Sequence, residues 1–182
     1  MKQAYQVLLY YKYIPIDDPE KLKQDQAELC KKLNLKGRII VAEEGINGTV
    51  EGFAQDTEEY IKELQKDSQF KDMHFKKSAG NGEAFPKLSV KVRSELVAYR
   101  LGAEDIKPWV VTGRYLTAEE LHRWFEEKRQ FYIVDMRNDF EQEVGFFDNS
   151  ILSGWEHSEN IYQILKKLDS MPKNTIIVTV CT

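Results

Sequence analysis

Cysteine is scarce in this chain, with Cys30 and Cys181 the only two among 182 residues. Two cysteines cannot build a disulfide framework, and neither has metal-ligand spacing with the other or with His74, His122 or His157. No zinc site and no cofactor-binding motif is evident. Long hydrophobic runs are missing too. None approaches the roughly 20 residues that a membrane-spanning helix needs, and 31% of the residues are charged. The first residues, Met1-Lys2-Gln3-Ala4-Tyr5, carry neither the apolar stretch nor the small-residue cleavage site of a signal peptide. A cytoplasmic location without membrane partners is expected. A surplus of positive charge is also absent: the formal net charge is −4. That speaks against a general DNA-coating role while leaving room for a local basic surface. Internal repeats and low-complexity tracts are lacking.

What is present reads first as strands and helices in alternation. Tyr5 to Tyr13 is aromatic and β-branched, as a strand should be. Pro15 and Asp17-Asp18-Pro19 break it and open a helix, with an acidic cap before proline. Leu22, Ala27, Leu29, Cys30 and Leu33 follow near helical spacing, and Gly37 supplies the stop. Cys30 on that face is a core residue. Arg38 to Ala42 and Thr49 to Phe53 read as short strands, with Asn47-Gly48 between them as a tight-turn pair. Asp56 or Thr57 can cap a helix carrying Tyr60, Ile61 and Leu64, and Met73 to Phe75 begins another strand. The order is β-α-β-β-α-β, the ferredoxin-like pattern. It spans residues 1–78 and says little about function by itself.

Residues 79–113 form an extended basic segment and linker, with Leu88 to Arg93 and Leu96 to Leu101 extended. Lysines and arginines outnumber acids in the middle of the chain. Lys76, Lys77, Lys87, Lys91 and Arg93 are the candidates to position RNA phosphates; a solvated mixed-charge surface is the plainer reading of the same residues. From 114 to 182 a second unit begins. Thr117 and Glu120 make a capping box, Phe131 to Val134 is a buried-type strand ending in Asp135-Met136-Arg137, a helix runs from about Ser158 to Leu168, and Thr175 to Val180 is a second buried strand. A helix between two such strands predicts a parallel crossover. Both strand ends then share one rim, the usual place for reactive groups in an open parallel sheet. That rim carries Asp135, Arg137 and Cys181. A cysteine followed by a tight loop and a helix N-terminus sees N–H donors that favour its thiolate, a nucleophile able to carry a persulfide or add to an electrophilic substrate.

Asp135-Met136-Arg137, followed by Glu141, Gly145, Phe146 and Phe147, resembles the rhodanese pattern D-x-R-x(3)-E-x(3)-G-[HF], and the strand before Cys181-Thr182 is similar to the one that carries the rhodanese nucleophile. Gly37-Arg38-Ile39, then Ala42-Glu43-Glu44-Gly45-Ile46-Asn47-Gly48-Thr49-Val50, resembles a signature of the tRNA uridine hydroxylases, formerly UPF0176. So do Phe85 to Arg93 and Glu95-Leu96-Val97. The resemblance covers essentially the whole chain, and Glu-Gly-Ile-Asn-Gly-Thr is its most specific part. It implies an α+β ferredoxin-like (βαββαβ) N-terminal domain followed by a partial α/β rhodanese-like domain with parallel strands. It further implies oxygen-dependent 5-hydroxylation of the tRNA wobble uridine, with molecular oxygen as co-substrate, tRNA as partner, Cys181 as the catalytic cysteine, and Asp135 with Arg137 as the pair that buttresses the rim.

Departures from the pattern set further expectations. The family continues Cys-Thr with Gly-Gly-[IV]-Arg-Cys-Glu-Lys, whereas the sequence given ends at Thr182. On that ground a truncated, inactive chain is expected, with possible self-association through an incomplete sheet. Phe146 stands where rhodaneses often have histidine, and Leu152 to His157 lacks the proline- and Asp-Thr-containing sequence of relatives. Two other readings stay open: a persulfide-carrying rhodanese sulfurtransferase, and a non-catalytic RNA- or protein-binding remnant. For Asp135 and Arg137, a structural ion pair is an equal alternative to any direct role.

Overall fold

Alternation of side chains across a pleat decides the first strand. Leu8 and Tyr10 are buried, while Tyr11, one position on, is exposed. In the computed structural model, which describes residues 4–100, 107–154, 156–157 and 160–181, this strand is β1 (Tyr5–Tyr13). It is followed by α1 (Pro19–Lys32), β2 (Lys36–Ala42), β3 (Gly45–Phe53), α2 (Ala54–Leu64), β4 (Phe75–Gly80) and β5 (Leu88–Val92). The chain divides into two units, Met1–Leu96 with Ile106–Val110, and Val97–Asp105 with Val111–Thr182.

The first unit is one mixed sheet of order β4-β1-β3-β2-β5. Strands β4, β1, β3 and β2 pair antiparallel in the β-α-β-β-α-β connectivity, and β5 adds to β2 in parallel. Both helices bury their apolar sides on the same face of the sheet. Leu8, Tyr10, Ile39, Val41, Ile46 and Val50 meet Cys30 of α1 and Tyr60 and Leu64 of α2 there. Inside this core the Tyr10 hydroxyl donates to that of Tyr60 (2.5 Å), which donates to Gln26 Oε1 (2.6 Å). Burial pushes the Cys30 thiol up to about 12. Cys30 is therefore an inert packing residue, as its place in the helix pattern predicts.

Several local expectations are corrected. The hairpin turn is Glu43-Glu44, and Asn47-Gly48 lies inside β3, paired with Tyr11 and Tyr10 of β1. Gly48 is there for a different reason than a turn: a Cβ would meet the Tyr10 ring at 2.3 Å. Gly45 takes φ +141° directly after the turn, where a Cβ would lie 2.0 Å from the Lys12 carbonyl oxygen. Helix α1 starts as expected, with Asp18 accepting from Lys21 N–H (2.9 Å). It ends before Gly37, at a left-handed Asn34 (φ 52°). Helix α2 starts at Ala54, before either expected cap; the Thr57 hydroxyl turns back to the Ala54 carbonyl (2.9 Å) and to Gln6 Oε1 (2.8 Å). Residues 96–100 form no strand, and Leu101 lies outside the described residues. Between β4 and β5 the chain crosses from one edge of the sheet to the other. Glu51 of β3, 2% exposed, holds that crossing by accepting N–H groups from Asn81 (3.0 Å), Gly82 (2.8 Å) and Ala84 (2.9 Å).

Gly48→Ala is expected to cost about 1–3 kcal/mol, the range for overpacking a filled core, and thermal unfolding measures it. An unchanged melting temperature would remove the Tyr10 contact as the reason for this glycine.

The second unit contains α3 (Ala118–Glu126), β6 (Tyr132–Asp135), α4 (Asp139–Gln142), β7 (Ile151–Leu152), α5 (Ile161–Asp169) and β8 (Ile177–Val180). Thr117 caps α3 by accepting from Glu120 N–H (3.1 Å). Strands β6 and β8 are parallel neighbours, as the crossover predicts, and β7 pairs in parallel on the other side of β6. Val134 and Ile164 centre a small core with Met136, Ile151, Ile161 and Leu168 around them. The expected helix start at Ser158 lies outside the described residues, as does Thr182. Among the described residues no helix is long and apolar enough to cross a membrane.

Candidate functional site

The parallel pairing of β6 and β8 sets Asp135 beside Val180, and Met136 N–H donates to the Val180 carbonyl (2.8 Å). Cys181 is the next residue, so it stands on the same rim as Asp135-Met136-Arg137. It is exposed, in contrast to the buried Cys30. The half-buried Tyr99 is also near: burial first, and then the electrostatic influence of Cys181, push its hydroxyl up from the usual tyrosine range.

Asp135 is 1% exposed, and one side chain answers its charge. The Arg137 guanidinium donates to it through Nε (3.0 Å to Oδ1) and Nη2 (2.6 Å to Oδ2), and Arg137 N–H donates to Oδ1 (3.1 Å). A fork-on-carboxylate contact of this kind is both strong and directional. It holds the Asp135 carboxyl below the usual carboxylate range, chiefly through the Arg137 side chain. The same guanidinium reaches the Gly145 carbonyl (2.7 Å), eight residues on, and so closes the loop that contains α4. Glu141 completes the motif by accepting from Asn138 N–H (3.1 Å) at the start of α4. The Asp, Arg and Glu of D-x-R-x(3)-E-x(3)-G thus each make a hydrogen bond that shapes the rim loop.

Two residues that the sequence reading passed over finish this scaffold. Gln142 Nε2 lies 3.2 Å from the Asp135 carbonyl, 2.9 Å from the Arg137 carbonyl and 2.9 Å from the Ser153 hydroxyl. Ser153, fully buried, donates to the Arg137 carbonyl (2.7 Å). Their partners are backbone carbonyls, which leave no trace in residue pattern. Phe146 is 53% exposed, and its phenyl ring offers none of the hydrogen bonds of a histidine there. Among the described residues no group of His, Cys, Asp and Glu could hold a metal ion.

The five candidate cations divide between the two faces of the first sheet. Lys76 and Lys91 are exposed on the face away from the helices, and Arg93 continues beyond β5 on the same side, its N–H donating to the Val41 carbonyl (2.9 Å). Lys77 points the other way and is paired with Glu58 of α2 (2.5 Å). Lys87 is exposed just before β5, where its carbonyl accepts Gly37 N–H (3.2 Å).

A family profile described as the UPF0176 acylphosphatase like domain matches residues 5–96, the β1–β5 sheet with its two helices. The chain belongs to the UPF0176 family. Similar proteins include a tRNA uridine(34) hydroxylase of Bacillus licheniformis, 41% identical over 182 residues, 100% of this chain and 56% of that protein. A tRNA uridine(34) hydroxylase of Staphylococcus aureus is 42% identical over 178 residues, 98% of this chain and 55% of that protein. The chain therefore spans little more than half the length of these relatives. Among solved structures, the BLUF protein BlrB in its dark state is similar at a TM-score of 0.45 and 17% identity, over 70% of this chain and 99% of that one. That likeness is too distant to bear on function.

Proposed function

We propose that the protein carrying this chain hydroxylates C5 of the wobble uridine of tRNA in the cytoplasm, with Cys181 as its nucleophile on a rhodanese-like rim. The observation that carries this reading is the match to relatives named tRNA uridine(34) hydroxylase, which runs through both units of the chain at 41% identity. The exposed Cys181 at the end of β8, beside a loop fixed by Asp135 and Arg137, supports it. A thiolate there can form a transient adduct with the electrophilic ring of uracil. Molecular oxygen is the co-substrate: one oxygen atom enters at C5, and the other leaves as water with two electrons and two protons from a reductant. Asp135 and Arg137 hold the rim and do not touch substrate.

Mass spectrometry of tRNA from cells lacking the gene tests the reading. Wobble 5-hydroxyuridine should disappear; its persistence in a strain with no redundant enzyme would overturn the assignment. The same strand-end cysteine also fits a persulfide carrier. Thiosulfate-dependent persulfide on Cys181 without any tRNA hydroxylation would favour that reading instead. Self-association through a free edge of the three-stranded sheet is a further proposal, supported by a dimer in gel filtration with light scattering and refuted by a strict monomer.

A further inference from the structure

The family hexapeptide is only partly accounted for by folding. Gly45 and Gly48 are demanded by the Lys12 carbonyl and the Tyr10 ring, and Ile46 is in the core. Asn47 and Thr49 are left over. By the pleat they stand on the opposite face of β3, the one that neither helix covers. Both remain partly exposed at the centre of the sheet.

The pairing registers show what surrounds them. One row across all five strands reads Lys76, Leu9, Thr49, Arg38, Ser89. The next reads Tyr11, Asn47, Ile40, Lys91. Lys76, Arg38 and Lys91 are exposed. Tyr11 is 62% exposed, with the Tyr13 ring edge-on at 6.4 Å on the same strand face. Lys36 and Arg93 add two more exposed cations at the margins of the face. The acid among this face's strand residues is Glu51, which is buried with its oxygens already occupied by the Asn81–Ala84 backbone. The Asn81–Ala84 crossing that buries Glu51 closes one end of this face and carries the exposed Glu83; beyond it, in a chain of net charge −4, the charge exposed by the strands is positive. It complements a polyanion.

We infer that the open face of the β4-β1-β3-β2-β5 sheet is the surface that takes a single-stranded RNA loop, which rests on the tRNA reading above. Arg38, Lys76 and Lys91 position phosphates, Tyr11 offers a ring on which an unpaired base stacks, and Asn47 and Thr49 meet base edges between them. An exposed ring among cations on a sheet suits unpaired bases, because a duplex keeps its base faces hidden. Of the cations singled out from sequence, Lys77 has no place in this surface. Arg38 and Tyr11, which were not singled out, are central to it.

Fluorescence anisotropy of the 182-residue chain with a labelled RNA hairpin bearing a long unpaired loop, against a blunt RNA duplex of the same composition, tests the inference. The hairpin is expected to bind more tightly than the duplex. Tyr11→Ala should weaken it by about 5- to 150-fold, the range for losing one stacked base, while Tyr11→Phe keeps the ring and the affinity. The double variant Arg38→Ala/Lys91→Ala should flatten the dependence of log affinity on log salt by about 1.4, at roughly 0.7 per phosphate contact on a single strand. Lys77→Ala, on the helix-covered face, should leave both unchanged. Equal binding of hairpin and duplex, wild-type affinity in Tyr11→Ala and the double variant, or equal harm from Lys77→Ala would each overturn the inference. Persistence of wobble 5-hydroxyuridine in cells lacking the gene would overturn the hydroxylase reading instead, and would leave this binding result as measured.

Discussion

Cells whose sole copy of the gene carries Cys181→Ser are expected to lose wobble 5-hydroxyuridine by about a thousandfold or more, the scale on which removing an enzyme's nucleophile acts. The substitution changes one atom on an exposed rim, so the fold should be untouched. RNA affinity should also hold, since Cys181 lies in the second unit while the sheet face belongs to the first. The measurement is quantitative mass spectrometry of total tRNA, with hairpin binding of the same variant alongside. A variant that still hydroxylates at the wild-type level would remove Cys181 from the chemistry. Cys30 cannot substitute for it: it is fully buried in the first core, with its thiol held protonated.

Asp135→Ala should fail differently. It removes the acceptor that orients Arg137, so the closure onto the Gly145 carbonyl and the whole α4 loop lose their anchor. Melting of the second unit should fall on the order of 10 °C, and hydroxylation should be lost with it. Asp135→Asn separates charge from shape. The folded carboxyl is held below its ordinary value, so its contribution is complete above the unfolded pKa of about 3.9. That contribution fades as pH falls through the lower folded value. The wild-type chain should therefore show an acid-destabilisation step below about pH 4 that Asp135→Asn lacks. Identical acid profiles for the two would mean that the pair adds nothing to stability.

For the placement of these two residues on one rim, sequence was a good guide. A cysteine after a β-branched run and an Asp-x-Arg at the end of another are local patterns. The parallel crossover that unites them follows from a helix lying between two apolar strands, although β8 is half-exposed and not the buried strand expected. β1 was legible for the same reason, since a nine-residue stretch with four tyrosines and a valine leaves little alternative. Asn47-Gly48 misled because turn propensity is local, whereas the need for Gly48 comes from a tyrosine 38 positions earlier on the neighbouring strand. The two-residue β7 is too short for any periodicity to mark. Lys76 and Lys77 look alike in sequence, yet strand parity sends one to the open face and the other to Glu58.

The buried Glu51 has a mechanical consequence. Strands β4 and β5 form the two outer margins of the sheet, with three strands between them, and the segment that links them is fastened through Asn81, Gly82 and Ala84 to the central strand β3. A margin of a sheet ordinarily frays by itself. Here, peeling either one pulls on the Asn81–Ala84 bend, and through it on the strand that carries Asn47 and Thr49. The two margins and the middle therefore open as one cooperative patch, and the broad face stays taut across its full width.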